Sequence, residues 1–421
     1  MKRAALFLLV AFVADAGGRF DRVNTRCAGG RSSRGLSCTD YAFLEFAPAS
    51  GAGMTAACAC TTPTGAKGEA MTFTRTGAAT CSKQGLATTG INDGDLVTCA
   101  SDNQPRVEPS GGVLGLRVES AKTNPLLRFI DYANATWADV ATPTLTGSQA
   151  SPWTGTYATS AVQFDDNDAV AFEGRSQTVT VSAGAAYTMS CYVKGGSLTK
   201  ARLSLDGTTA DFTGLSTTTW TLATVTDASS SGVAIAAQIL NGTAVGDTGT
   251  VIWGGCQVEA GSYATSMIPT VAASATRNAD RGYLALASTP KGADGIYSMS
   301  ATVATLSDVS RNWEVAVLNA GGVAPYVSLY SAGVNDRCES FNGTSLAATT
   351  AASGPSGRWT CWNDGATEQG IRNGTAFTSP VAGTRSGVGF NRIYVTTASA
   401  GYEIEGIITN VCADPSPTRC R

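Results

Sequence analysis

Short alternations of polar and apolar residues run through the middle of this chain, separated by turn dipeptides such as Asp206-Gly207 and Asn241-Gly242. An alternating run places one side of an extended segment on a core and the other in solvent, as in a half-buried strand. No window keeps a sustained helical period. The pattern therefore predicts an all-β protein whose central part is a sandwich or jelly roll. These strands are predicted at residues 176–181, 186–193, 219–226, 234–240 and 250–258.

Similar runs flank this central part, and the 421 residues are enough for two or three domains. The N-terminal runs are residues 41–46, 71–74 and 95–98, and the C-terminal runs are residues 297–304, 313–318, 326–330, 392–396 and 402–409. We therefore predict β domains in tandem. The predicted divisions are residues 1–16 as a signal peptide, 17–40 as a linker or cap, 41–112 as a small cysteine-rich β region, 113–281 as the jelly roll and 292–421 as a second sandwich.

Composition narrows the functions that the chain can have. Only 14% of the residues are charged, and the formal net charge of −3 offers no basic field for a phosphate backbone, so nucleic acid is not expected as a partner. The chain has no His. It therefore lacks the commonest general base, the Ser-His-Asp and Cys-His systems and the usual zinc ligand. Chemistry that needs only carboxylates, as in glycosidases, is not excluded by this argument.

The N-terminus resembles an export signal. Lys2 and Arg3 precede an apolar run, and Ala14-Asp15-Ala16 fits a small-residue cleavage site. The run is too short for a permanent membrane span, and no other stretch qualifies as one. The alternative is an ordinary hydrophobic N-terminal segment. With a signal peptide, the protein is expected to be secreted or extracellular, or to lie on a virion surface.

The cysteines support an extracellular location. They are even in number and lack the Cys-x-x-Cys spacing of a metal site, so disulfides are predicted, with buried free thiols as the alternative. The pattern does not establish which cysteines pair. The twelve are Cys27, Cys38, Cys58, Cys60, Cys81, Cys99, Cys191, Cys256, Cys338, Cys361, Cys412 and Cys420.

Seven segments between residues 73 and 280 resemble, in the same order, motifs of phage tail-fibre and minor tail proteins. They are residues 73–80 (FTRTGAAT), 103–107 (NQPRV), 115–127 (GLRVESAKTNPLL), 187–194 (YTMSCYVK), 251–259 (VIWGGCQVE), 263–270 (YATSMIPT) and 275–280 (ATRNAD). The resemblance implies a jelly roll similar to carbohydrate-binding modules. It also implies a concanavalin-like or laminin-G-like sandwich after it, which residues 357–365 and 371–374 resemble more weakly. A phage protein and a secreted bacterial relative both fit.

Sugar sites in β modules use aromatic faces with a few planar polar groups. Trp137, Trp220 and Trp253 lie in the strand pattern and are predicted to be core residues. Trp153 and Tyr157 lie in a turn-rich segment and are candidates for a sugar platform, with closure of a core edge as the alternative.

The C-terminal block offers a second group of candidates. Trp359 and Trp362 are three residues apart in a strand and therefore point in opposite directions. Trp362 is predicted to be the exposed one, and together with Asn363 and Asp364 it forms the second candidate sugar site.

Residues 165–168 contain the only dense group of carboxylates. Asp165, Asp166 and Asp168 are the type of oxygen ligand that calcium prefers, so Ca²⁺ is the one cofactor that the sequence indicates. The spacing does not match an EF-hand loop, and a solvated turn is the alternative.

Together these observations predict a lectin-like, non-enzymatic adhesion protein that binds cell-surface glycan, as a phage receptor-binding component or a secreted adhesin. Weak single sites predict a homo-oligomer, such as the trimer of fibre proteins, because several sites acting together raise avidity. The first alternative is a purely structural virion or envelope component that makes only protein contacts. The second is a polysaccharide-degrading enzyme.

Overall fold

The protein is described here by a computed structural model. It describes residues 42–45, 71–82, 91–99, 103, 105–110, 113–285, 297–306, 313–319, 326–332, 335–341, 346–352, 357–363, 367–373, 375–377, 381–382, 392–394 and 406–414. Within these ranges the chain forms β-strands and one 3-10 turn, Gly155–Tyr157, but no α-helix. The predicted all-β class is confirmed. No helix in these ranges has the length and hydropathy needed to span a membrane.

The strands are numbered in chain order. Before the sandwich they are β1 (Ala42–Glu45), β2 (Met71–Thr74), β3 (Ala79–Ser82), β4 (Ile91–Asn92), β5 (Leu96–Cys99), β6 (Arg106–Ser110), β7 (Val113–Val118) and β8 (Lys122–Asn124). In the middle of the chain they are β9 (Ala138–Val140), β10 (Thr144–Gln149), β11 (Ala161–Asp166), β12 (Gly174–Thr180), β13 (Tyr187–Gly195), β14 (Lys200–Leu205), β15 (Thr208–Thr213), β16 (Thr219–Asp227), β17 (Ala234–Asn241), β18 (Gly249–Ala260), β19 (Ala275–Arg277) and β20 (Arg281–Ala285).

Further strands follow toward the C-terminus. They are β21 (Tyr297–Leu306), β22 (Trp313–Asn319), β23 (Tyr326–Ala332), β24 (Asn335–Phe341), β25 (Leu346–Ala352), β26 (Gly357–Asn363), β27 (Thr367–Arg372), β28 (Thr375–Ala376), β29 (Val381–Ala382), β30 (Arg392–Tyr394) and β31 (Gly406–Asp414).

Two antiparallel sheets pack face to face in the middle of the chain. One has the strand order β10-β11-β18-β13-β16-β4, and the other has the order β15-β14-β17-β12-β9. The core between them contains Trp137, Phe164 and Trp253, with Tyr132 stacked edge-on against Trp137 at 5.1 Å between ring centroids. Burial of each such side chain contributes roughly 1.5–3 kcal/mol. This core accounts for the alternation in the sequence.

The outer faces of the two sheets differ in exposure. In the second sheet burial alternates: Val179 and Ile239 are buried on the core side, whereas Thr178 and Ala236 are exposed. In the first sheet every residue of β13 is buried. A strand buried throughout must be covered on both faces. We therefore call the first sheet the covered sheet and the second the open sheet.

A second apolar cluster lies on the outer face of the covered sheet. It includes Tyr192 of β13 and Trp220 of β16, whose neighbours along their strands face the central core. Residues from outside these two strands complete it: Ile91, Leu96, Phe129, Ile130, Trp153, Ala161 and Met267. The predicted core positions of Trp137, Trp220 and Trp253 are therefore confirmed, with Trp220 in this second cluster.

Two larger sheets combine strands from both ends of the chain. One has the order β28-β27-β26-β21-β31-β7-β6, with β1 paired to β31 and β29 to β27, and the other has the order β2-β20-β30-β22-β23-β24-β25. The hairpin of β6 and β7 joins the C-terminal strand β31, and β20 joins β30. These pairings cross the divisions predicted at residues 112/113 and 281/292.

One turn of the open sheet shows how local sequence sets the register. Asp206 and Gly207 join β14 to β15, and their φ angles of 53° and 83° give a two-residue hairpin of type I′. Glycine tolerates such angles because it has no Cβ. The turn places Arg202 of β14 directly opposite Asp211 of β15.

Disulfides link strands in three of the sheets. Cys191 and Cys256 face each other on β13 and β18, with 4.1 Å between their Cα atoms, and Cys338 of β24 is bonded to Cys361 of β26. Cys81 of β3 and Cys99 of β5 are also disulfide-bonded. The backbone of Cys412 lies in β31. Disulfides are also predicted for five cysteines that lie outside the described residues: Cys27, Cys38, Cys58, Cys60 and Cys420.

Candidate functional site

Trp153 does not form a sugar platform. Its side chain is 1% exposed, its Nε1 donates to the Gly254 carbonyl at 2.5 Å, and its ring packs edge-on against Phe129 with 5.7 Å between centroids. The sequence-based hypothesis of an exposed face at this position is corrected: the indole closes the second apolar cluster. Tyr157 is partly buried beside it, with its ring 5.1 Å from Phe129, and its role in binding stays a prediction.

The C-terminal candidates lie on β26. Trp359 is 1% exposed, whereas Trp362 is partly exposed, in agreement with the predicted alternation. Asn363 is the last residue of this strand, and Asp364 lies outside the described residues. Sugar binding by these three C-terminal residues, Trp362 to Asp364, stays a prediction.

The acidic run organises a turn. The buried Asp166 carboxylate accepts backbone N–H groups from Asp168 at 3.2 Å and Glu173 at 3.3 Å, and Asp168 accepts one from Val170 at 2.8 Å. Burial raises the pKa of the Asp166 carboxyl. Within the described ranges, no group of three or more carboxylate or cysteine side chains is arranged to hold a metal ion. Backbone amides therefore occupy oxygens of Asp166 and Asp168, and calcium binding by Asp165, Asp166 and Asp168 stays a prediction.

A buried group of charged side chains lies where several of the sequence motifs meet, and we call it the ionic cluster. Arg106 bridges Glu119, at 2.7 Å, and Asp280. Glu119 also pairs with Arg117 at 2.6 Å and Arg277 at 2.8 Å. The full set is Arg75, Arg106, Glu108, Arg117, Glu119, Arg277 and Asp280. These residues come from β6, β7, β19 and the segments beside them, so the motifs join distant parts of the chain.

The carboxylates of the ionic cluster are closed to solvent. Burial raises the pKa of the Glu108 carboxyl. Burial also acts on Glu119, but Arg106, Arg117 and Arg277 outweigh it and hold the pKa of that carboxyl well below its usual range. A carboxylate that stays ionised and is closed to solvent cannot exchange protons with a substrate. The cluster is therefore a structural junction.

The outer face of the open sheet carries a row of polar side chains that we call the polar row. Strand register places Thr209, Ser204, Gln238 and Ser176 side by side on β15, β14, β17 and β12. Neighbouring strands are about 5 Å apart, so the row extends for roughly 15 Å. None of the four side chains has a hydrogen-bond partner among the residues that the structure describes. Ser204 is only 6% exposed, so it forms the floor of this face.

Beside the polar row, an aromatic ring and a guanidinium form what we call the Phe172 platform. Arg202 lies two residues before Ser204 on β14, so the two side chains are on the same face of the sheet. The Arg202 Cζ is 4.7 Å from the centroid of the partly exposed Phe172 ring. Its Nε and Nη2 donate to the two carboxylate oxygens of Asp211 at 2.6 and 2.9 Å, and Nη2 also donates to the Thr243 carbonyl at 2.7 Å. The guanidinium plane is therefore fixed before any ligand arrives.

The electrostatics of the platform suit binding rather than proton transfer. The hydrogen bond from Arg202 lowers the pKa of the Asp211 carboxyl and raises the pKa of the guanidinium. Asp211 therefore stays ionised at neutral pH and acts as a hydrogen-bond acceptor, not as a general acid. A fixed guanidinium, a primary amide and hydroxyl groups are the planar and small polar groups that position a ligand in a mostly neutral site.

The sequence patterns do not indicate the polar row or the Phe172 platform. Phe172 lies in the loop before β12 and carries no motif, and Arg202 and Asp211 are nine residues apart, so their pairing depends on the hairpin register. One signal was available: polar residues at alternate positions of predicted strands mark the solvent-facing side. That signal includes Ser176 and Gln238, but it does not reveal which outer face is left open.

No model of a known protein family matches the chain, and no curated protein matches it. Among solved structures, the chain is similar to the CBM40 module of the Ruminococcus gnavus IT-sialidase bound to α2,3-sialyllactose. That match has 13% identity and a TM-score of 0.26, and it covers 31% of this chain and 80% of that one.

Two tandem structures match a larger share of the chain. Domains LG4-5 of the mouse laminin α1 chain match at 10% identity and a TM-score of 0.25, over 66% of this chain and 93% of that one. The N-terminal CBM22-1–CBM22-2 tandem domain of Paenibacillus barcinonensis Xyn10C matches at 12% identity and a TM-score of 0.25, over 70% and 99%. Likeness at this level carries no functional argument.

Proposed function

We propose that this protein is a non-enzymatic glycan-binding protein that holds a polysaccharide on the outer face of its open sheet. The observation that carries the proposal is the polar row beside the Phe172 platform. It combines an aromatic ring, a fixed guanidinium, an amide and three hydroxyls on the sandwich face that the described strands leave uncovered. Sugar rings present both apolar faces and hydroxyl groups, and this surface offers partners for each.

The shape of the face favours a chain-like ligand. The polar row crosses four strands, so its contacts are spread over about 15 Å rather than concentrated around one ring. A shallow site of this kind gives weak binding, and several copies acting together raise avidity. We therefore propose an adhesive role outside the cell, as a homo-oligomeric component of a phage virion surface or as a secreted adhesin.

The test is binding to an array of neutral and acidic oligosaccharides at high protein density, with Gln238→Ala as the diagnostic variant. Gln238 is partly exposed and unpartnered, so its replacement should leave stability within about 0.5 kcal/mol. Loss of its hydrogen bonds to the ligand should weaken binding about fivefold to tenfold.

Gln163→Ala is the matched control. Gln163 is a partly exposed glutamine of the same kind, but it lies on β11 of the covered sheet, so its replacement should leave binding unchanged. If no oligosaccharide binds the wild-type protein, or if both variants weaken binding equally, the open sheet is not a glycan site. The structural alternative would then be favoured.

A further inference from the structure

The sandwich has a cleft at the end opposite the Phe172 platform. Thr180 at the end of β12, Tyr187 at the start of β13 and Ala260 at the end of β18 line it, whereas Phe172 precedes the start of β12. Its volume is about 420 Å³. The rise of β12 places it roughly 20 Å from the platform, so the two sites are distinct. The other lining residues are Ala121, Lys122, Thr123, Pro125 and Thr276.

Among the described residues that line this cleft, Lys122 is the one with a charged side chain. Its Nζ donates to the Ala260 carbonyl at 2.6 Å and lies 4.5 Å from the centroid of the Tyr263 ring. Gly261 has a φ of 117°, and a Cβ there would be 2.9 Å from the Lys122 Nζ. The ammonium is therefore held in place by a carbonyl, a ring and a glycine that leaves room for it, although lysine side chains ordinarily extend toward solvent.

We propose that this cleft binds the singly charged anionic group of an acidic sugar residue, either a carboxylate or a phosphodiester. The ammonium of Lys122 supplies the counter-charge, and its charge-assisted hydrogen bonds are stronger than those between neutral groups. Thr123, Thr180 and Thr276 also line the cleft, and the hydroxyls of Thr123 and Thr276 lie 2.8 Å apart. Hydroxyl groups both donate and accept, so they suit the hydroxyl groups of a sugar ring. Tyr187 supplies an apolar wall.

The carboxylate of Glu259, which precedes Ala260 on β18, does not occupy the cleft. Glu259 is fully buried and accepts hydrogen bonds from Gln257 at 2.8 Å and from the backbone N–H of Thr265 at 2.8 Å. Burial raises the pKa of the Glu259 carboxyl, and the charge of Lys122 partly offsets that rise, so the two groups interact, but the carboxylate does not line the cleft. The inference rests on the proposed glycan binding and deepens it, since it adds a preference for acidic sugars at a second position.

The experiment compares trigalacturonic acid with its neutral methyl ester by isothermal titration calorimetry at low salt, with a glycerol-phosphate oligomer as the phosphodiester probe. The wild-type protein should bind at least one acidic probe about tenfold more tightly than the ester. Lys122→Met should remove that preference by lowering the affinity for the acidic probe to that for the ester. Gln238→Ala should weaken the neutral ester, which contacts the open sheet, without removing the preference for the acid, so the two proposals can fail separately.

A pair of variants at an exposed position tests the inference independently if Lys122→Met does not fold. Thr180 is exposed on the cleft wall, so Thr180→Glu and its uncharged match Thr180→Gln should both fold. Thr180→Glu should weaken acidic-probe binding several-fold relative to Thr180→Gln, because like charges repel at short range. Equal binding of acid and ester by the wild-type protein, or equal binding of the acid by the two Thr180 variants, would overturn the inference.

Discussion

Replacement of Glu119 by Gln tests whether the ionic cluster holds the fold together. The Glu119 side chain is 3% exposed and lies within 2.6 to 2.8 Å of Arg106, Arg117 and Arg277. It also accepts the backbone N–H of Ser266 at 2.8 Å. Glutamine keeps the shape but removes the charge and turns an amide NH₂ toward the guanidinium groups. Breaking a buried ion pair by removing one partner costs about 3–5 kcal/mol, because the remaining charges stay buried and uncompensated.

The assay is equilibrium urea unfolding followed by far-ultraviolet circular dichroism and tryptophan fluorescence, applied to the first transition because large chains need not unfold in one step. Asp139→Asn is the matched control. Asp139 pairs with Arg175 at 2.8 Å, but its side chain is 55% exposed, so the loss there should be below about 1 kcal/mol. A loss under about 1 kcal/mol for Glu119→Gln, or equal losses for the two variants, would refute the structural role of the cluster.

Three further predictions concern pH, the central disulfide and Trp153. The pKa of Glu119 is lowered in the folded protein. The stability that its ionised carboxylate contributes is therefore fully present above the unfolded-state pKa of roughly 4.3 and is lost as pH falls through the folded-state pKa. The melting temperature of the wild-type protein should therefore fall more steeply than that of Glu119→Gln between about pH 5 and pH 2, and parallel curves would contradict this. Replacement of both Cys191 and Cys256 by Ala should lower the free energy of unfolding by about 2–4 kcal/mol in urea, and an unchanged midpoint would count against a stabilising bridge. Trp153→Ala should cost about 3–5 kcal/mol while glycan affinity per folded molecule is retained, and a loss of affinity at unchanged stability would restore the sugar platform at this residue.

Local sequence patterns predict several of the strands. The alternation around Val179 and Ile239 marks which side of β12 and β17 faces the core, and both strands form within a few residues of the predicted positions. The core positions of Trp137 and Trp253 follow from the same periodicity. These features depend on neighbours in the sequence, so a single chain is enough to find them.

Long-range packing could not be predicted in the same way. Trp153 lies in a turn-rich segment that is typical of an exposed loop, but Phe129 and other residues distant in sequence bury it on the covered sheet. Arg106 and Asp280 are 174 residues apart, and nothing in either segment alone shows that they form an ion pair. The Phe172 platform was missed for the same reason, because it depends on strand register and on which outer face remains uncovered.

The most direct test of the account is hydroxyl-radical footprinting, read by mass spectrometry, of the protein with and without a polysaccharide identified on the array. Binding on the open sheet should protect the exposed edge of Phe172 and the β14 and β17 peptides that contain Arg202 and Gln238. The reactivity of Tyr157, on the covered-sheet side, should not change. Protection of Tyr157 with no change at Phe172 would contradict the account and place the ligand elsewhere.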